Sequence, residues 1–414
     1  MFATHMECLE CKKTFSLNEV VYTCPYCSGL LDVKYDYEAL EVEVSKPKLE
    51  ARKTYSMWRY SEFLPINVHD AVTLWEGFTP LSRATSLERL VGFKNLYLKF
   101  EFLCPTGSFK DRGSSVLISK AKGLGAKEVT IDSSGNAASS ISCYAARAQL
   151  RCFVFVPSYA STSKLIQIIA NGATVFAVEG TRRDTYEIAK KAYENHGWYY
   201  CGFQTNPFAS EGLKTIAYEI CEQLNWNPPD KIVIPVGTAG NLVGCWKGLE
   251  ELYKIGWIHK IPSLVCIQPE GCAPIAKAHK GKMKEVTPID KPETVAEGLM
   301  IGSPFKGKLA LKALEKTRGL AETVSDNQII EAGKLLAKKE GVFVEPSAAA
   351  SVAGIMKMVE EGQMCRDETI VCLLTGSGLK TQDFFSKFVE KPIAIKPDIN
   401  ELRKAIKRLK ASGR

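Results

Sequence analysis

The sequence predicts an α/β fold built on parallel β-sheets, and three observations lead to this prediction. Of the 414 residues, 45% are hydrophobic and 24% are charged, which is the composition of a globular protein and excludes disordered and fibrous chains. Short apolar runs rich in β-branched and aromatic residues alternate with segments of helical period, as in βαβ units. The chain is also too long for one sheet layer, so we expect two sheets, one of them inserted in the other.

The expected elements follow in chain order. Apolar runs predict buried strands at residues 95–102, 128–132, 152–157, 173–178, 231–236, 264–269 and 369–374. Helical periodicity predicts helices between them at residues 137–148, 163–171, 181–196, 211–224 and 327–339. Near the C-terminus, residues 398–410 place Ile399, Leu402, Ile406 and Leu409 at helical intervals, which predicts an amphipathic helix with its basic side chains in water.

Three segments bear on how the domains divide. Residues 1–36 are set apart by four cysteines, and residues 47–54 resemble a surface connection. Residues 281–308 are rich in lysine, proline and glycine and show little periodicity. This last segment is either a mobile loop over a site or a long excursion from the fold.

The formal charge of +8 lies mostly in the tail. Residues 391–414 carry eight Lys and Arg against two Asp and Glu, a net +6 that leaves +2 for the rest of the chain. Nucleic-acid-binding domains present a basic face rather than a basic tail, so we expect no nucleic acid as a partner. No stretch reaches the roughly 20 apolar residues that cross a bilayer, and residues 1–13 lack the apolar core of a signal peptide. We therefore expect no membrane partner and a cytoplasmic protein with reduced thiols.

Cys8, Cys11, Cys24 and Cys27 form two Cys-x-x-Cys pairs separated by twelve residues. This spacing is typical of a zinc ribbon, in which four thiolates bind one tetrahedral ion. Four cysteine ligands leave no coordination position for water, so a bound zinc would be structural. The alternative is a group of four buried thiols without metal.

Lys110 is the leading candidate for catalysis. It follows Gly107, Ser108 and Phe109 at a turn between a predicted strand and a helical stretch. Partial desolvation and a nearby helix N-terminus both lower the pKa of an amine, and such an amine can form a Schiff base. The alternative is an exposed charge carrier, as most lysines are.

Three further loops place small polar residues at the carboxyl end of a predicted strand, where open α/β sheets bind ligands. In the first loop, hydroxyl, amide and backbone N–H groups suit a carboxylate, although an ordinary helix N-cap explains them as well; its residues are Ser133, Ser134, Asn136 and Ala137.

The second loop suits a phosphate or is a tight turn without ligand. Its residues are Gly237, Thr238, Ala239, Gly240 and Asn241. It is not a P-loop, because Gly-Lys-Ser/Thr is missing. The third loop, residues 373–378, contains Thr375 and ends the last predicted strand.

Together, these segments resemble the fold-type II pyridoxal-phosphate enzymes, the superfamily of tryptophan synthase β subunits and threonine dehydratases, and most closely the threonine synthase family. The resemblance extends over nearly the whole chain. The matching segments are residues 57–60, 64–65, 76–81, 105–113, 133–136, 211–215, 237–241, 345–354 and 375–380. An N-terminal cysteine ribbon also occurs in some members of the family.

The resemblance implies an architecture of two open twisted sheet domains and a small four-cysteine ribbon. Residues 1–36 would form the ribbon, residues 37–118 and 206–414 the large cofactor-binding domain, and residues 119–205 a small mobile domain. Homodimers are the usual assembly in this family.

The resemblance also implies the cofactor and the roles of the site residues. Lys110 would hold pyridoxal 5'-phosphate (PLP) covalently and, once released, remove the α proton of an amino-acid substrate. Asn136 would contact the ring hydroxyl of PLP, and Thr375 its pyridine nitrogen. The cofactor phosphate would be bound by Gly237, Thr238, Ala239, Gly240 and Asn241. The substrate, through its carboxylate, would be bound by Ser133, Ser134, Asn136 and Ala137.

The implied activity is the conversion of O-phosphohomoserine and water into threonine and phosphate, but one departure matters. The family usually carries an arginine that helps to hold the substrate's phosphate where this chain has Ala209, and a serine where it has Gln204. Either another residue compensates, for example Lys214 or a lysine of residues 281–308, or the substrate is not a phosphate ester. The alternatives are a serine or threonine ammonia-lyase, a β-replacement enzyme for another activated amino acid, and a zinc-ribbon nucleic-acid-binding protein with a degenerate enzyme body.

Overall fold

The computed structural model describes residues 1–160, 162–388 and 391–411, without the side chains of residues 162–164. The chain divides into two units, Met1–Lys380 and Thr381–Arg414. Within the described residues, no helix is long and apolar enough to cross a membrane.

Strands and helices alternate along most of the first unit, as the apolar runs predict. The strands are β1 (Ala3–Cys8), β2 (Thr14–Phe15), β3 (Leu31–Tyr35), β4 (Leu81–Arg83), β5 (Asn95–Lys99), β6 (Glu128–Ile131), β7 (Arg151–Pro157), β8 (Thr174–Val178), β9 (Tyr199–Tyr200), β10 (Lys231–Pro235), β11 (Ser263–Pro269), β12 (Leu320–Val324) and β13 (Thr369–Leu373). The helices are α1 (Tyr37–Glu43), α2 (Lys46–Glu50), α3 (Thr85–Val91), α4 (Lys110–Gly123), α5 (Asn136–Ala148), α6 (Thr162–Ala170), α7 (Arg182–His196), α8 (Phe208–Leu213), α9 (Thr215–Gln223), α10 (Gly240–Lys254), α11 (Pro274–Lys280), α12 (Gly307–Lys316), α13 (Asp326–Leu335) and α14 (Pro346–Glu360). The second unit contains α15 (Gln382–Phe385) and α16 (Ile399–Ala411).

The N-terminal strands form a small antiparallel sheet in the order β2-β1-β3. In the central strand, Met6 pairs with Phe15 on one side and with Val33 on the other. Helix α1 starts directly after this sheet, because the Asp36 carboxylate accepts a hydrogen bond from the N–H of Ala39 at 3.0 Å and caps the first turn.

The larger sheet has the strand order β12-β11-β10-β13-β5-β4. Its strands are parallel except for the edge strand β4, which pairs antiparallel with β5. Both faces are buried: along β11, Leu264 and Cys266 belong to one core cluster, and Val265 and Ile267 belong to the other. This burial explains why the strands read as continuous apolar runs.

The smaller sheet is parallel, in the order β8-β7-β6-β9. Its strands all come from residues 119–205, and the strands of the larger sheet come from the segments on either side. The expected α/β class with two sheets is confirmed. The domain boundaries themselves stay a prediction.

The structure differs from the expected elements at a few points. The strand expected at residues 95–102 ends at Lys99, because Glu101–Leu103 form a 3-10 turn. The helix expected at residues 211–224 is divided into α8 and α9, where the Thr215 hydroxyl donates to the carbonyl of Gly212 at 2.7 Å and competes with the helical backbone. The tail helix forms as expected.

Residues 281–306 are largely irregular, with one 3-10 turn at Glu297–Leu299. The segment nevertheless contributes buried side chains: Leu299 is 4% exposed and Lys306 is 5% exposed. At these two residues the segment is therefore packed against the rest of the fold. A loop that only ran over the surface would leave both side chains exposed.

Candidate active site and a separate cysteine cluster

Lys110 is the first residue of α4, at the end of a turn that leaves the larger sheet. The turn is held by Asp111, whose carboxylate accepts hydrogen bonds from the N–H and the hydroxyl of Thr106 at 2.7 and 2.6 Å. Burial raises the pKa of Asp111 to about 6, and hydrogen bonds from Ser140 and Thr106 oppose that rise. These bonds fix the backbone from which Lys110 extends.

The amine of Lys110 lies between aromatic rings. Its Nζ is 4.6 Å from the ring centroid of Phe109 and 4.4 Å from that of Phe203. Burial lowers the pKa of Lys110 to about 7; the charge of Lys306 adds to this effect, and Glu345 opposes it. At neutral pH a large share of the amine is therefore unprotonated and able to act as a nucleophile or base.

The carboxyl end of β13 lies beside the turn that precedes α4. The N–H of Phe109 donates to the carbonyl of Thr375 at 3.1 Å, and Ser108 forms an isolated bridge with Gly376. Glu345 also contacts the end of β13, because its N–H donates to the carbonyl of Gly376 at 3.0 Å. The third predicted loop is thus brought to the predicted catalytic lysine.

Glu345 also connects this point to the smaller sheet. Both of its carboxylate oxygens accept from the Nδ2 of Asn136 at 3.1 Å, and Asn136 begins α5 after β6. Lys110, Thr375 and Asn136 are therefore grouped around Glu345. Sequence reasoning gave this glutamate no role, although its place before Pro346 at the start of α14 is a recognisable helix-start pattern.

The loop before α5 is free of uncompensated negative charge. Ser133 and Ser134 are half-buried, and the Oγ of Ser133 accepts a hydrogen bond from the N–H of Gly135 at 3.3 Å. The carboxylate of Asp132 is held by Arg182 at 2.7 Å and by the Tyr200 hydroxyl at 2.5 Å. The loop and the first turn of α5, with Ala137, thus present hydroxyl and N–H donors that suit a carboxylate.

The loop from Gly237 to Asn241 opens helix α10. A Cβ built on Gly237 would lie 2.7 Å from the carbonyl oxygen of Gly298, so only glycine fits there. Ala239 has φ +66°, a left-handed conformation, directly before Gly240 begins α10. Thr238 lies between these two turns. The backbone is thus folded tightly in front of a helix start, as an anion cradle is.

This loop is connected to the Lys110 region through α14. The N–H of Gly298 donates to the hydroxyl of Ser347 at 3.0 Å, and Ser347 follows Glu345 by two residues. The predicted loops therefore converge on one region of the larger sheet.

The chemistry of this region fits PLP. It contains a desolvated amine at Lys110 and a glycine-bearing loop at a helix start. Among the residues that the structure describes, the buried side-chain oxygens of Ser108 and Asn241 have no hydrogen-bond partner, and one of the two belongs to the proposed phosphate loop. Unsatisfied buried polar atoms are rare in folded proteins, and the position of Asn241 in the proposed phosphate loop is compatible with a bound ligand.

The four predicted metal-ligating cysteines form a separate cluster. Their Sγ atoms all lie within 4.8 Å of one another, with Cys8 and Cys27 at 3.4 Å and Cys11 and Cys24 at 3.5 Å. Zinc–sulfur bonds of about 2.3 Å in a tetrahedron place the sulfurs roughly 3.8 Å apart, which is close to these distances. The donor set fits a structural zinc ion.

Position 209 offers no cation, because Ala209 is buried and small. Lys214, one of the residues expected to compensate, is fully buried and paired with Glu211 at 2.8 Å and with Glu251 at 2.9 Å. Its charge is already neutralised. Of the two expected replacements, a lysine of residues 281–308 is the one that remains.

Comparison with known proteins identifies the family of the chain. Residues 72–376 match the family described as pyridoxal-phosphate dependent enzymes. The chain is 43% identical over 404 residues to the threonine synthase of Methanocaldococcus jannaschii, covering 97% of this chain and 99% of that protein. It is 40% identical over 403 residues to the threonine synthase of Methanosarcina acetivorans, covering 97% and 98%.

Among solved structures, the chain resembles the processed form of threonine deaminase isoform 2 from Solanum lycopersicum. The TM-score is 0.66 at 21% sequence identity, and the match covers 84% of this chain and 90% of that one. At this identity the similarity shows a common fold.

Proposed function

The chain belongs to the pyridoxal-phosphate dependent enzymes and, within them, to the threonine synthase family, and from this membership we propose that it converts O-phosphohomoserine and water into threonine and phosphate. It is a PLP-dependent lyase. The observation that carries the proposal is the desolvated amine of Lys110 at the point where the polar loops converge, in a chain that matches threonine synthases over 97% of its length.

Lys110 is the residue that moves protons. When bound, PLP supplies an electron-withdrawing ring that allows an amino acid to lose its α proton. The amine of Lys110, with its pKa near 7, is able to accept that proton and to return protons to the substrate's carbon atoms. Its aromatic neighbours Phe109 and Phe203 restrict water around it.

The polar loops position the two ligands. We assign Asn136 to the ring hydroxyl of PLP and Thr375 to its pyridine nitrogen. Because a neutral hydroxyl does not hold a proton on that nitrogen as a carboxylate would, this arrangement suits elimination and replacement at the substrate's side chain. The residues assigned to the cofactor phosphate are Gly237, Thr238, Ala239, Gly240 and Asn241. The residues assigned to the substrate carboxylate are Ser133, Ser134, Asn136 and Ala137.

Residues 119–205, which carry the smaller sheet, are proposed to act as a mobile domain. Asn136 already contacts Glu345 from this domain, so a closed domain would hold the carboxylate loop near Lys110 and exclude water during proton transfer. A homodimer is the assembly expected from the family resemblance, and the cytoplasm is the location expected from the sequence.

The assay for this proposal is a substrate screen with PLP-loaded protein. O-phosphohomoserine is expected to give threonine and inorganic phosphate in equal amounts, measured by amino-acid chromatography and phosphate determination. Ammonia and a keto acid from serine or threonine, with the phosphate ester left intact, would instead favour an ammonia-lyase. A protein that stays colourless after PLP addition would contradict both activities.

The cysteine cluster is proposed to hold one structural zinc ion. The segment of residues 1–36 is too short to form a core of its own, so metal binding would provide much of its cohesion. Protein prepared without chelator is expected to contain one zinc per chain. Cys11→Ser should lose the metal and lower the free energy of unfolding by about 4 kcal/mol or more.

Cys365→Ser is the matched control for the zinc prediction. Cys365 is also exposed but lies far along the chain from the cluster, so its substitution should leave zinc content and stability unchanged. Metal analysis and thermal unfolding check both variants. Equal zinc content in the Cys11→Ser and wild-type proteins would rule out the metal assignment.

A further inference from the structure

Lys306 is a buried lysine that the reaction as described above does not use. Its side chain is only 5% exposed, and its Nζ donates a hydrogen bond to the hydroxyl of Ser210 at 2.7 Å. In the described part of the chain it has no ion pair. Because a buried ammonium group without a directly paired counter-charge is costly, a lysine in this position is suited to an anionic ligand.

Lys306 lies close enough to Lys110 for the two charges to interact. Its positive charge helps to lower the pKa of Lys110. Burial lowers the pKa of Lys306 itself to about 8, against the opposing charges of Glu211 and Asp32. The two amines thus share one partly desolvated region.

The packing of α8 on α4 explains this proximity. A Cβ built on Gly212 would lie 2.0 Å from the carbonyl oxygen of Arg112, so the two helices are in direct backbone contact. Gly113 also faces α8, since a Cβ built on it would lie 3.1 Å from the carbonyl oxygen of Ala209. Ser210, which holds Lys306, is therefore beside the first turn of α4, where Lys110 begins the helix.

We infer that Lys306 binds the phosphate group of the substrate, and that Ser210 positions its amine for this contact. The inference rests on the proposed function, in which the leaving group is a phosphate ester. A phosphate near neutral pH carries between one and two negative charges and is bound best by charge-assisted hydrogen bonds. It must lie near Lys110, because the reaction at the substrate's carbon atoms takes place there.

Other nearby lysines are already engaged. Lys214 is paired with two glutamates, and Lys247 is paired with Asp32 at 2.7 Å and with Glu211 at 2.6 Å. Lys380 donates to the carbonyl of Thr106 at 2.9 Å and also to the side-chain oxygen of Gln167. Compared with these three lysines, Lys306 has only one hydrogen bond and no ion pair among the described residues, so it keeps the most donor capacity for a ligand.

Gln204 is a second polar residue near Lys110 that is suited to contact the phosphate of the substrate. The Oε1 of Gln204 is buried and has no hydrogen-bond partner among the described residues. Gln204 follows Phe203, whose ring contacts the Lys110 amine. Its amide is able to present either the oxygen or the nitrogen to a ligand, so it suits a protonated or a charged phosphate oxygen.

The test compares Lys306→Met with Lys308→Met in the PLP-loaded, full-length protein. Each change removes one positive charge, and the two positions are two residues apart. Lys308, however, is 63% exposed, and its one ion pair among the described residues is with the exposed Glu10. For Lys306→Met, kcat/KM with O-phosphohomoserine is expected to fall about 10- to 100-fold, as for loss of a charge-assisted hydrogen bond. Lys308→Met should stay within about 2-fold of wild type.

Two further measurements separate phosphate binding from a structural effect. Inorganic phosphate should inhibit the Lys306→Met protein about 10-fold more weakly than the wild type, while PLP affinity stays unchanged and the unfolding temperature does not fall. Lys306→Arg, which keeps the charge, should restore most of the activity. Lys306→Gln gives an independent variant with the same expected direction as Lys306→Met.

The outcomes that overturn the inference are distinct from failure of the proposed function. Equal effects of Lys306→Met and Lys308→Met, or unchanged phosphate inhibition, would remove Lys306 from the substrate site. Loss of PLP affinity instead would assign Lys306 to the cofactor. If the wild type forms no threonine from O-phosphohomoserine, the proposed function fails, whereas titration of inorganic phosphate into the same wild-type and variant proteins still decides whether Lys306 binds phosphate.

Discussion

Lys110→Ala and Lys110→Arg are each expected to lower kcat for threonine formation by at least about 10³-fold, because a positioned proton-transfer group alone contributes 10² to 10⁴. Alanine removes the amine, and arginine keeps the positive charge but does not release a proton near neutral pH. Both variants should also lose the absorbance of covalently bound PLP. Steady-state kinetics and absorbance spectra measure the two effects.

Lys122→Ala is the control for this prediction. Lys122 lies on the same helix, α4, but is exposed at its C-terminal end. Its substitution should leave kcat within about 2-fold of wild type. If Lys110→Arg retained a tenth or more of the wild-type kcat, proton transfer would have to be assigned to another residue.

Much of the fold could be predicted from local sequence, because strands buried on both faces leave continuous apolar runs. Strands β7, β10 and β11 are within one residue of their expected bounds. Strand β12 was not expected, since it contains Glu322, a buried carboxylate paired with Lys280 at 2.6 Å and with Lys357 at 3.2 Å. Lys280 and Lys357 come close to Glu322 only in the folded chain. From the local sequence alone, a segment that contains this glutamate looks too polar for a buried strand.

The same limit applies to the candidate site. Lys110 and its preceding turn are adjacent in sequence, so a local motif reveals them. The contact between Asn136 and Glu345 joins residues 209 positions apart, and the contact between Lys306 and Ser210 joins residues 96 positions apart. Neither pairing has a local signature, so the roles of Glu345 and Lys306 emerge only from the packed structure.

Breaking the buried charge network behind the active site should destabilise the fold strongly, because it leaves buried charges without partners. Glu219 is fully buried and pairs with Lys99 at 2.7 Å and with Arg112 at 2.5 Å. Arg112 also pairs with Glu101 at 2.6 Å, and it belongs to α4, two residues after Lys110. The network therefore fixes the helix from which the catalytic lysine extends.

Glu219→Gln is expected to lower the free energy of unfolding at pH 7 by about 3 to 5 kcal/mol, because it leaves two buried cations undercompensated. The carboxylate also accepts hydrogen bonds from the N–H groups of Phe78 and Thr79 at 2.6 and 3.1 Å, so the amide would lose one of these as well. Denaturant unfolding measures the change. Glu360→Gln, at an exposed position on α14, should change stability by less than about 0.5 kcal/mol.

The pH dependence distinguishes loss of charge from loss of packing at Glu219. Burial alone would raise the pKa of this carboxyl, but Arg112 and Lys99 overcome that effect and hold the pKa below its usual range. A depressed carboxyl pKa gives stability that is fully present above the unfolded-state value and is lost as the pH falls toward the folded-state value. The stability difference between wild type and Glu219→Gln should therefore shrink as the pH is lowered from about 4.5 toward 2. A difference that stays constant over this range would show that the variant acts through packing, and that the charge of Glu219 does not stabilise α4.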